Sequence, residues 1–223
     1  MQLIELSDYT LTPTGTGNGL NEFYFALSKG DICSIHADSE DDAHIFLKAL
    51  ATLIRPAKGT YRFMGEKIDF SDYRNLLPCK KKIGYISQDS AMISNKTVRE
   101  NLLFMRYYFE NSLLITLDEN ASRLCSIFNI QDKLDMHPAE ISLMDLRIAI
   151  TIRELSKSPD LLLIEHPEDF ISHAKFDFFV KILKDMLLSG LTVVFISNKK
   201  SFVEEFSDRN ILITGGTLTT VSA

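Results

Sequence analysis

The chain has 223 residues, of which 45% are hydrophobic and 24% charged, so it can bury a core and is neither disordered nor collagen-like. Its net charge of -6 gives no electrostatic reason to expect a nucleic-acid partner. The three cysteines, Cys33, Cys79 and Cys125, lie far apart, which suits neither a disulfide framework nor a metal site and favours a reducing compartment. No apolar run approaches the roughly 18 residues that cross a bilayer, and Met1 is not followed by a signal-peptide pattern, so we expect no membrane span.

The first third of the chain combines strand patterns with a glycine-rich loop. Residues 2–6 and 23–27 are strand-like, and the loop over 12–19 between them predicts an antiparallel hairpin. The apolar run 32–35 predicts a strand, and apolar residues at helical spacing predict a helix over 43–54. The order of strand, acidic turn and helix is typical of an α/β unit.

The middle of the chain is predicted to be mainly helical. After a short buried strand over 83–87, helical periodicity dominates from 97 to 156. Strand patterns return at 161–164 and 192–197, with a helix over 173–189 between them. Buried strands that alternate with helices predict an α/β fold with a mainly parallel, doubly wound sheet.

Several motifs, in matching order and spacing, resemble those of the nucleotide-binding subunit of ABC transporters. Residues 30–32 resemble the strand before the family's phosphate loop, and 83–89 resemble its Q-loop segment. Residues 97–102 resemble the Thr-Val-x-Glu-Asn that follows the Q-loop, 159–167 the Walker B strand, and 207–209 the Ala-Asp-Arg before the last strands. The resemblance covers nearly the whole chain and implies a P-loop NTPase-like α/β fold whose mainly parallel sheet carries an antiparallel β subdomain and a helical subdomain.

The resemblance also implies a domain organisation and a setting. We expect a single domain over 1–223, with a core and β subdomain over about 1–89 and 158–223 and a helical subdomain over about 90–157. The helical segment is most similar to importers of the lipid-handling Mla/MCE type. The family uses ATP and Mg²⁺, docks on a membrane permease subunit at the cytoplasmic, inner face of the cell membrane, and pairs with a second cassette subunit as a homodimer or heterodimer.

The phosphate loop of the family has different residues in this chain. The family's loop binds phosphates through glycines that expose backbone N–H groups, a lysine and a Mg²⁺-binding hydroxyl. Here Ala37, Glu40 and Asp42 stand at the glycine positions, Ala43 at the lysine and His44 at the hydroxyl. At about 6 Å and an effective dielectric near 20, each carboxylate–phosphate pair costs roughly 3 kcal/mol before screening. We therefore expect no ATP binding and no cofactor.

The acidic segment has a simpler interpretation as a helix start. Ser39 is expected to be the N-cap of the helix, and Asp42, three residues later, to complete a capping-box-like pair. A calcium site formed by Asp38, Glu40, Asp42 and His44 is the alternative. It is disfavoured because the glycine and the glutamate that an EF-hand register requires are missing.

The other functional positions implied by the resemblance are also changed. Glu165 replaces the Walker B aspartate, His166 the catalytic glutamate, and Asn198 the histidine that contacts the γ-phosphate. Gln88 of the Q-loop is intact. Ser142 is kept from the signature motif, but it fits a helix N-cap equally well. No catalytic position is therefore expected to be intact.

Two further ligand sites can be considered, one for a metal ion and one for adenine. His166, His173 and Glu165 lie near the end of a predicted strand and could suggest a metal site. Because their spacing does not require a metal, we predict none. Tyr9 could stack on adenine, although a strand-end tyrosine is the commoner explanation.

An apolar, aromatic-rich segment follows the Q-loop segment, where the family receives a short helix of its membrane subunit. The candidate docking residues here are Met92, Ile93, Leu102, Tyr107 and Tyr108, unless they all pack inside the helical subdomain. We therefore expect a non-hydrolysing structural or regulatory subunit of a membrane transport complex. The alternatives are an ATPase that acts with unusual loops or in a heterodimer, and a cytosolic sensor of another small ligand.

Overall fold

The computed structural model describes residues 1–110, 112 and 114–222. Within these residues the strands, in chain order, are β1 (Gln2–Leu11), β2 (Leu20–Ser28), β3 (Ile32–Ala37), β4 (Lys58–Phe63), β5 (Glu66–Lys67), β6 (Ile83–Ile86), β7 (Leu161–Glu165), β8 (Thr192–Ile196), β9 (Arg209–Thr214) and β10 (Thr217–Ser222). The helices are α1 (Glu40–Leu50), α2 (Leu77–Lys82), α3 (Val98–Glu110), α4 (Glu119–Ile127), α5 (Leu143–Ser156), α6 (Pro167–Phe170), α7 (His173–Leu188) and α8 (Lys200–Phe206). Among the described residues, no helix combines the length and apolar character that a membrane span needs.

One sheet is antiparallel and has the strand order β2-β1-β4-β5. In its centre β1 pairs with both β2 and β4, so that Leu6 lies opposite Phe25 on one side and Tyr61 on the other. The opening hairpin is therefore confirmed, but its strands extend to Leu11 and from Leu20, beyond the predicted runs. These longer strands leave the loop over 12–19 short and hold it at one end of the sheet.

The second sheet carries the mainly parallel core, in the order β10-β9-β3-β8-β7-β6. Strands β6, β7, β8, β3 and β9 run parallel, while β10 pairs antiparallel with β9. The fold class predicted from the alternation of buried strands and helices is confirmed. Because β3 and β7 run in the same direction, the segments that follow them, which begin α1 and α6, emerge at the same edge of the sheet.

Two apolar cores cover the opposite faces of the parallel sheet. Leu161 and Leu163 of β7 face the core that includes α1 and the antiparallel sheet. Leu162 and Ile164 face the core formed with α3, α4, α5, α7 and α8. Successive side chains of a strand point to opposite faces, so a continuous apolar run is what a strand covered on both sides requires.

A buried carboxylate ties α5 to the parallel sheet. Glu154 is 3% exposed, and its Oε2 accepts a hydrogen bond of 3.2 Å from the backbone N–H of Tyr85 in β6. Its ion pairs are with Lys157 and with Arg153, whose Nε lies 2.8 Å from Oε1. Burial raises the pKa of Glu154, but the charges of Lys157 and Arg153 outweigh it and hold the pKa below its ordinary value.

Candidate functional site

The turn between β3 and α1 is where the family resemblance puts the phosphate loop, and its structure corrects the predicted cap. Ser39 has the extended backbone of an N-cap residue, but its side chain makes no capping hydrogen bond. The carboxylate of Asp42 is turned away from the helix start and is 2% exposed. The predicted pair of Ser39 and Asp42 is therefore wrong, because Asp42 has partners in another part of the chain.

Those partners lie in the loop between β1 and β2. Oδ1 of Asp42 accepts a hydrogen bond of 2.8 Å from the backbone N–H of Gly19, and Oδ2 accepts one of 3.0 Å from that of Asn18. Oδ2 of Asp41 accepts from the backbone N–H and the hydroxyl of Thr16 at 2.7 and 2.9 Å. The hydrogen bond from the Thr16 backbone is the main reason why the pKa of Asp41 is lowered. The two aspartates therefore fasten the loop over 12–19 to α1.

The glycines of this loop allow the aspartates to approach closely. A Cβ at Gly17 would lie 2.4 Å from Oδ1 of Asp42, and a Cβ at Gly15 would lie 2.4 Å from Oδ2 of Asp41. Any side chain at either position would displace the carboxylate beside it. In the sequence the glycines by themselves predict only a hairpin, and the signals of this contact are an acidic pair together with a glycine-rich loop.

Other residues that were predicted to contact a nucleotide lie in the core or at the end of a strand. Ala43 lies on the buried face of α1, 3% exposed and within the core, while Ala37 ends β3. Tyr9 is fully buried, and its ring makes edge contacts with Phe23 and Tyr61. The strand-end interpretation of Tyr9 therefore applies, since a ring enclosed in this way has no face for adenine.

Glu165 ends β7 and is held by two donors from the neighbouring strand and loop. The Tyr85 hydroxyl donates to Oε1, and the backbone N–H of Gln88 donates to Oε2 at 3.1 Å. Burial, followed by the negative charge of Glu165, raises the pKa of Tyr85. The side chain of Gln88 is exposed. The Glu165 carboxylate is 2% exposed and has partners within the protein.

His166 follows β7 directly and adopts the left-handed conformation, with φ 43° and ψ 63°. Its backbone N–H donates to the carbonyl of Ile196 at 2.8 Å, and the side chain is buried. Nε2 of its ring lies 3.2 Å from Oε1 of Glu40, and Nδ1 lies 3.4 Å from Nδ2 of Asn198. The structure therefore brings together Glu40, His44, His166 and Asn198, which come from three separate segments of the chain.

Two predicted positions lie in the helical part of the chain. Ser142 caps α5, because its hydroxyl accepts a hydrogen bond of 3.1 Å from the backbone N–H of Asp145. Leu102 is 6% exposed and belongs to a hydrophobic core, so its prediction as a docking residue is wrong. The cause is the position of Leu102 on the face of α3 that packs against the rest of the protein.

The remaining docking candidates differ in exposure. Tyr108 is 56% and Ile93 is 39% exposed, whereas Met92 packs partly against the core and Tyr107 is half-buried. Phe104, in the same aromatic-rich segment, is 47% exposed.

Comparisons with known proteins bear on the whole chain. The profile of the ABC transporter family matches residues 45–168, which is more than half of the chain. The chain is 24% identical to the L-cystine import ATP-binding protein TcyC of Bacillus subtilis, over 92% of this chain and 84% of that protein. It is also 24% identical to the methionine import ATP-binding protein MetN of Mannheimia succiniciproducens, over 90% of this chain but only 58% of that protein. The dimeric bacterial ABC transporter cassette MJ0796 superposes with a TM-score of 0.83 at 20% identity, covering 99% of this chain and 98% of that one.

The prediction that the chain has no cofactor is wrong. The matched family binds ATP and Mg²⁺, and a cassette of the same fold was solved in a post-hydrolysis state with ADP and Pi, with a TM-score of 0.80 at 18% identity. The start of α1 does not fit the phosphates of a nucleotide in the arrangement seen here, because the buried Ala43 carries no charge that could neutralise them and the acidic side chains of the first helical turn would repel them. No hydrolytic step is therefore assigned to these residues.

The finer resemblance to Mla/MCE importers stays a prediction.

The matched profile begins one residue after His44 and runs through the Q-loop and Walker B segments. The order of strands and helices agrees with that of the superposed cassette over nearly the full length of both chains. The chain belongs to the ABC transporter family.

Proposed function

We propose that this chain is the cassette subunit of an ABC importer for a small solute such as an amino acid, and that it supports transport without hydrolysing ATP itself. The solute class comes from relatives named for L-cystine import, methionine import and arginine transport. In such a complex the chain lies at the cytoplasmic face of the membrane, bound to a permease, and pairs with a second cassette subunit.

The observation that carries the loss of hydrolysis is the environment of His166. This residue stands where the family has its catalytic glutamate, and its Nε2 is 3.2 Å from Glu40 rather than free to polarise water. Glu165, at the Walker B position, already accepts hydrogen bonds from Tyr85 and Gln88. The two side chains with which the family binds Mg²⁺ and polarises water are thus replaced in this chain. The residues that replace them, Glu165 and His166, contact other groups of the protein.

The exposed face of α3 is the observation in favour of a permease as the partner of this chain. Phe104 and Tyr108 are four residues apart and therefore lie on one face of the helix. Arg153 donates a hydrogen bond of 2.8 Å to the carbonyl of Ala91 and so fixes the segment that leads from the Q-loop to this face. Aromatic side chains on a fixed surface are typical anchors of a protein interface.

The test of the hydrolysis proposal is a measurement of phosphate release from ATP and Mg²⁺ by the purified chain. We expect the wild type and the His166→Gln variant to give the same rate, equal to that of buffer. ATP binding is measured separately, so that a lack of phosphate release caused by weak ATP binding is not mistaken for a lack of hydrolytic activity. Turnover above the buffer rate that falls at least about tenfold in His166→Gln would establish the alternative of an active ATPase.

A further inference from the structure

Three metal-ligating side chains from two distant parts of the chain converge at the start of α1. Glu40 and His44 are one turn apart on α1, and His166 follows β7. Oε1 of Glu40 lies 3.2 Å from Nε2 of His166 and 3.7 Å from Nε2 of His44. One ligand atom of each residue lies within 4.8 Å of those of the other two, and no other such group occurs in the part of the chain that the structure describes.

These separations suit a single small cation. Zinc bonds of about 2.0–2.2 Å in tetrahedral geometry put neighbouring ligand atoms roughly 3.4 Å apart. The separations of 3.2 and 3.7 Å from Glu40 lie on either side of that value, and the ligand atoms of the two histidines lie within 4.8 Å of each other. The Glu40 side chain is 65% exposed and can adjust its rotamer, whereas His166, at 4% exposed, is fixed.

An unpartnered nitrogen points to a ligand at the same place. Nε2 of His44 is buried and has no hydrogen-bond partner. A buried polar atom without a partner is unfavourable, since it has lost water and gained nothing in return. The same atom is one of the three that converge, so a cation bound there would satisfy it.

Polar groups surround the second ring nitrogen of His166. Nδ1 of His166 lies 3.4 Å from Nδ2 of Asn198, and Oε1 of Glu168 is 3.8 Å away, beyond hydrogen-bond distance. The Glu168 carboxylate is itself held by the Ser197 hydroxyl at 2.9 Å and by the backbone N–H of Asn198 at 2.6 Å. A ligating histidine commonly directs its second nitrogen to a carboxylate, which orients the ring and makes the first nitrogen a better ligand.

We propose that Glu40, His44 and His166 form a binding site for a first-row divalent cation of the Zn²⁺ type, with a fourth position open to water. Two imidazole nitrogens favour Zn²⁺ over Mg²⁺, which prefers an all-oxygen environment. The site needs no nucleotide, which separates it from the Mg²⁺ that the family binds together with ATP.

The experiment is a Zn²⁺ titration of the full chain after treatment with chelator, in the absence of nucleotide and in competition with a chromophoric chelator. We expect one equivalent to bind, and Co²⁺ in its place to give the visible absorption of a four-coordinate site. His44→Gln and Glu40→Gln each remove one ligand and should weaken binding at least tenfold. His173→Ala is the matched control, because His173 is exposed and lies outside the cluster, and it should bind like the wild type.

Two results would overturn the proposal. One is the absence of stoichiometric binding to the wild type. The other is binding that is equally strong in the wild type, His44→Gln and Glu40→Gln, which would put the cation on other groups, such as the cysteines. Both test variants change side chains that are not fully buried, and circular dichroism of each checks that the fold is retained.

Discussion

Asp42 shows how a single residue can take a role that its position in the sequence does not suggest. Its carboxylate joins the start of α1 to Asn18 and Gly19, more than twenty residues earlier in the chain. It is one of the buried charged side chains of the described residues, and its charge is compensated by backbone N–H groups rather than by a cation. The loop over 12–19 is therefore attached to the parallel core chiefly through Asp41 and Asp42.

Replacing this carboxylate should destabilise the protein. We expect Asp42→Ala to lower the free energy of unfolding by about 2–4 kcal/mol, because hydrogen bonds to a charged group are lost and the buried N–H of Gly19 is left without an acceptor. The measurement is urea unfolding followed by circular dichroism.

The matched control is Asp38→Ala, which removes an exposed carboxylate from the same turn. It should change the free energy of unfolding by no more than about 0.5 kcal/mol. Equal losses in the two variants would mean that net charge, rather than the contact with the loop, determines the effect.

At the scale of elements, α3 has one buried and one exposed face. Val98, Leu102 and Leu103 are buried, while Phe104 and Tyr108 are exposed. Oδ1 of the buried Asn101 accepts a hydrogen bond of 2.7 Å from the backbone N–H of Ile93, which holds the preceding segment on the helix. The exposed aromatic rings therefore lie on a surface with a fixed shape.

This division predicts different outcomes for two substitutions on the same helix. Tyr108→Asp should leave the melting temperature nearly unchanged and reduce co-purification with membrane proteins, because Tyr108 is 56% exposed. Leu102→Asp should lower the free energy of unfolding by at least about 3 kcal/mol, because it buries an unpaired charge.

Phe178→Asp is the control for the loss of an exposed aromatic ring. Phe178 is 49% exposed on α7, so its replacement should affect neither melting nor co-purification. If Tyr108→Asp and Phe178→Asp gave the same co-purification as the wild type, the exposed face of α3 would not be the docking surface.

At the scale of the whole molecule, the parallel sheet is shared by two cores. Adjacent residues of β7 face opposite sides, Leu162 toward the helical part and Leu163 toward α1 and the antiparallel sheet. Neither core can lose its packing without exposing one face of the same strands. Glu154 adds a polar link between α5 and β6.

The shared sheet predicts one cooperative unfolding transition for residues 1–223. Leu162→Ala and Leu163→Ala should each lower the free energy of unfolding by about 2–4 kcal/mol and move the same single transition, although they open cavities in different cores. Far-UV circular dichroism and tyrosine fluorescence should give coincident curves. Two separate steps, of which each variant moves only one, would show that the helical part unfolds as an independent domain.

The architecture could be predicted from the amino-acid sequence alone. The apolar runs at 161–164 and 192–197 specify strands buried on both faces, because polar residues at alternate positions would be needed if one face met water. The motifs from 83 to 102 and from 159 to 167 were sufficient to identify the family, and the net charge of -6 gave no electrostatic reason to expect a nucleic-acid surface. These features are local or depend only on order and spacing, so one chain reveals them.

The contacts of the altered site residues could not be predicted in this way, because they depend on how distant segments pack together. The partners of Asp42, the enclosure of Tyr9 and the convergence of Glu40, His44 and His166 all join segments that are far apart in the chain. Sequence periodicity gives the face of an element on which a residue lies, but not which other element covers that face. Strands β3 and β7 run parallel on either side of β8, which brings α1 and His166 to the same edge of the sheet, and this strand order is what places residues from two distant segments side by side.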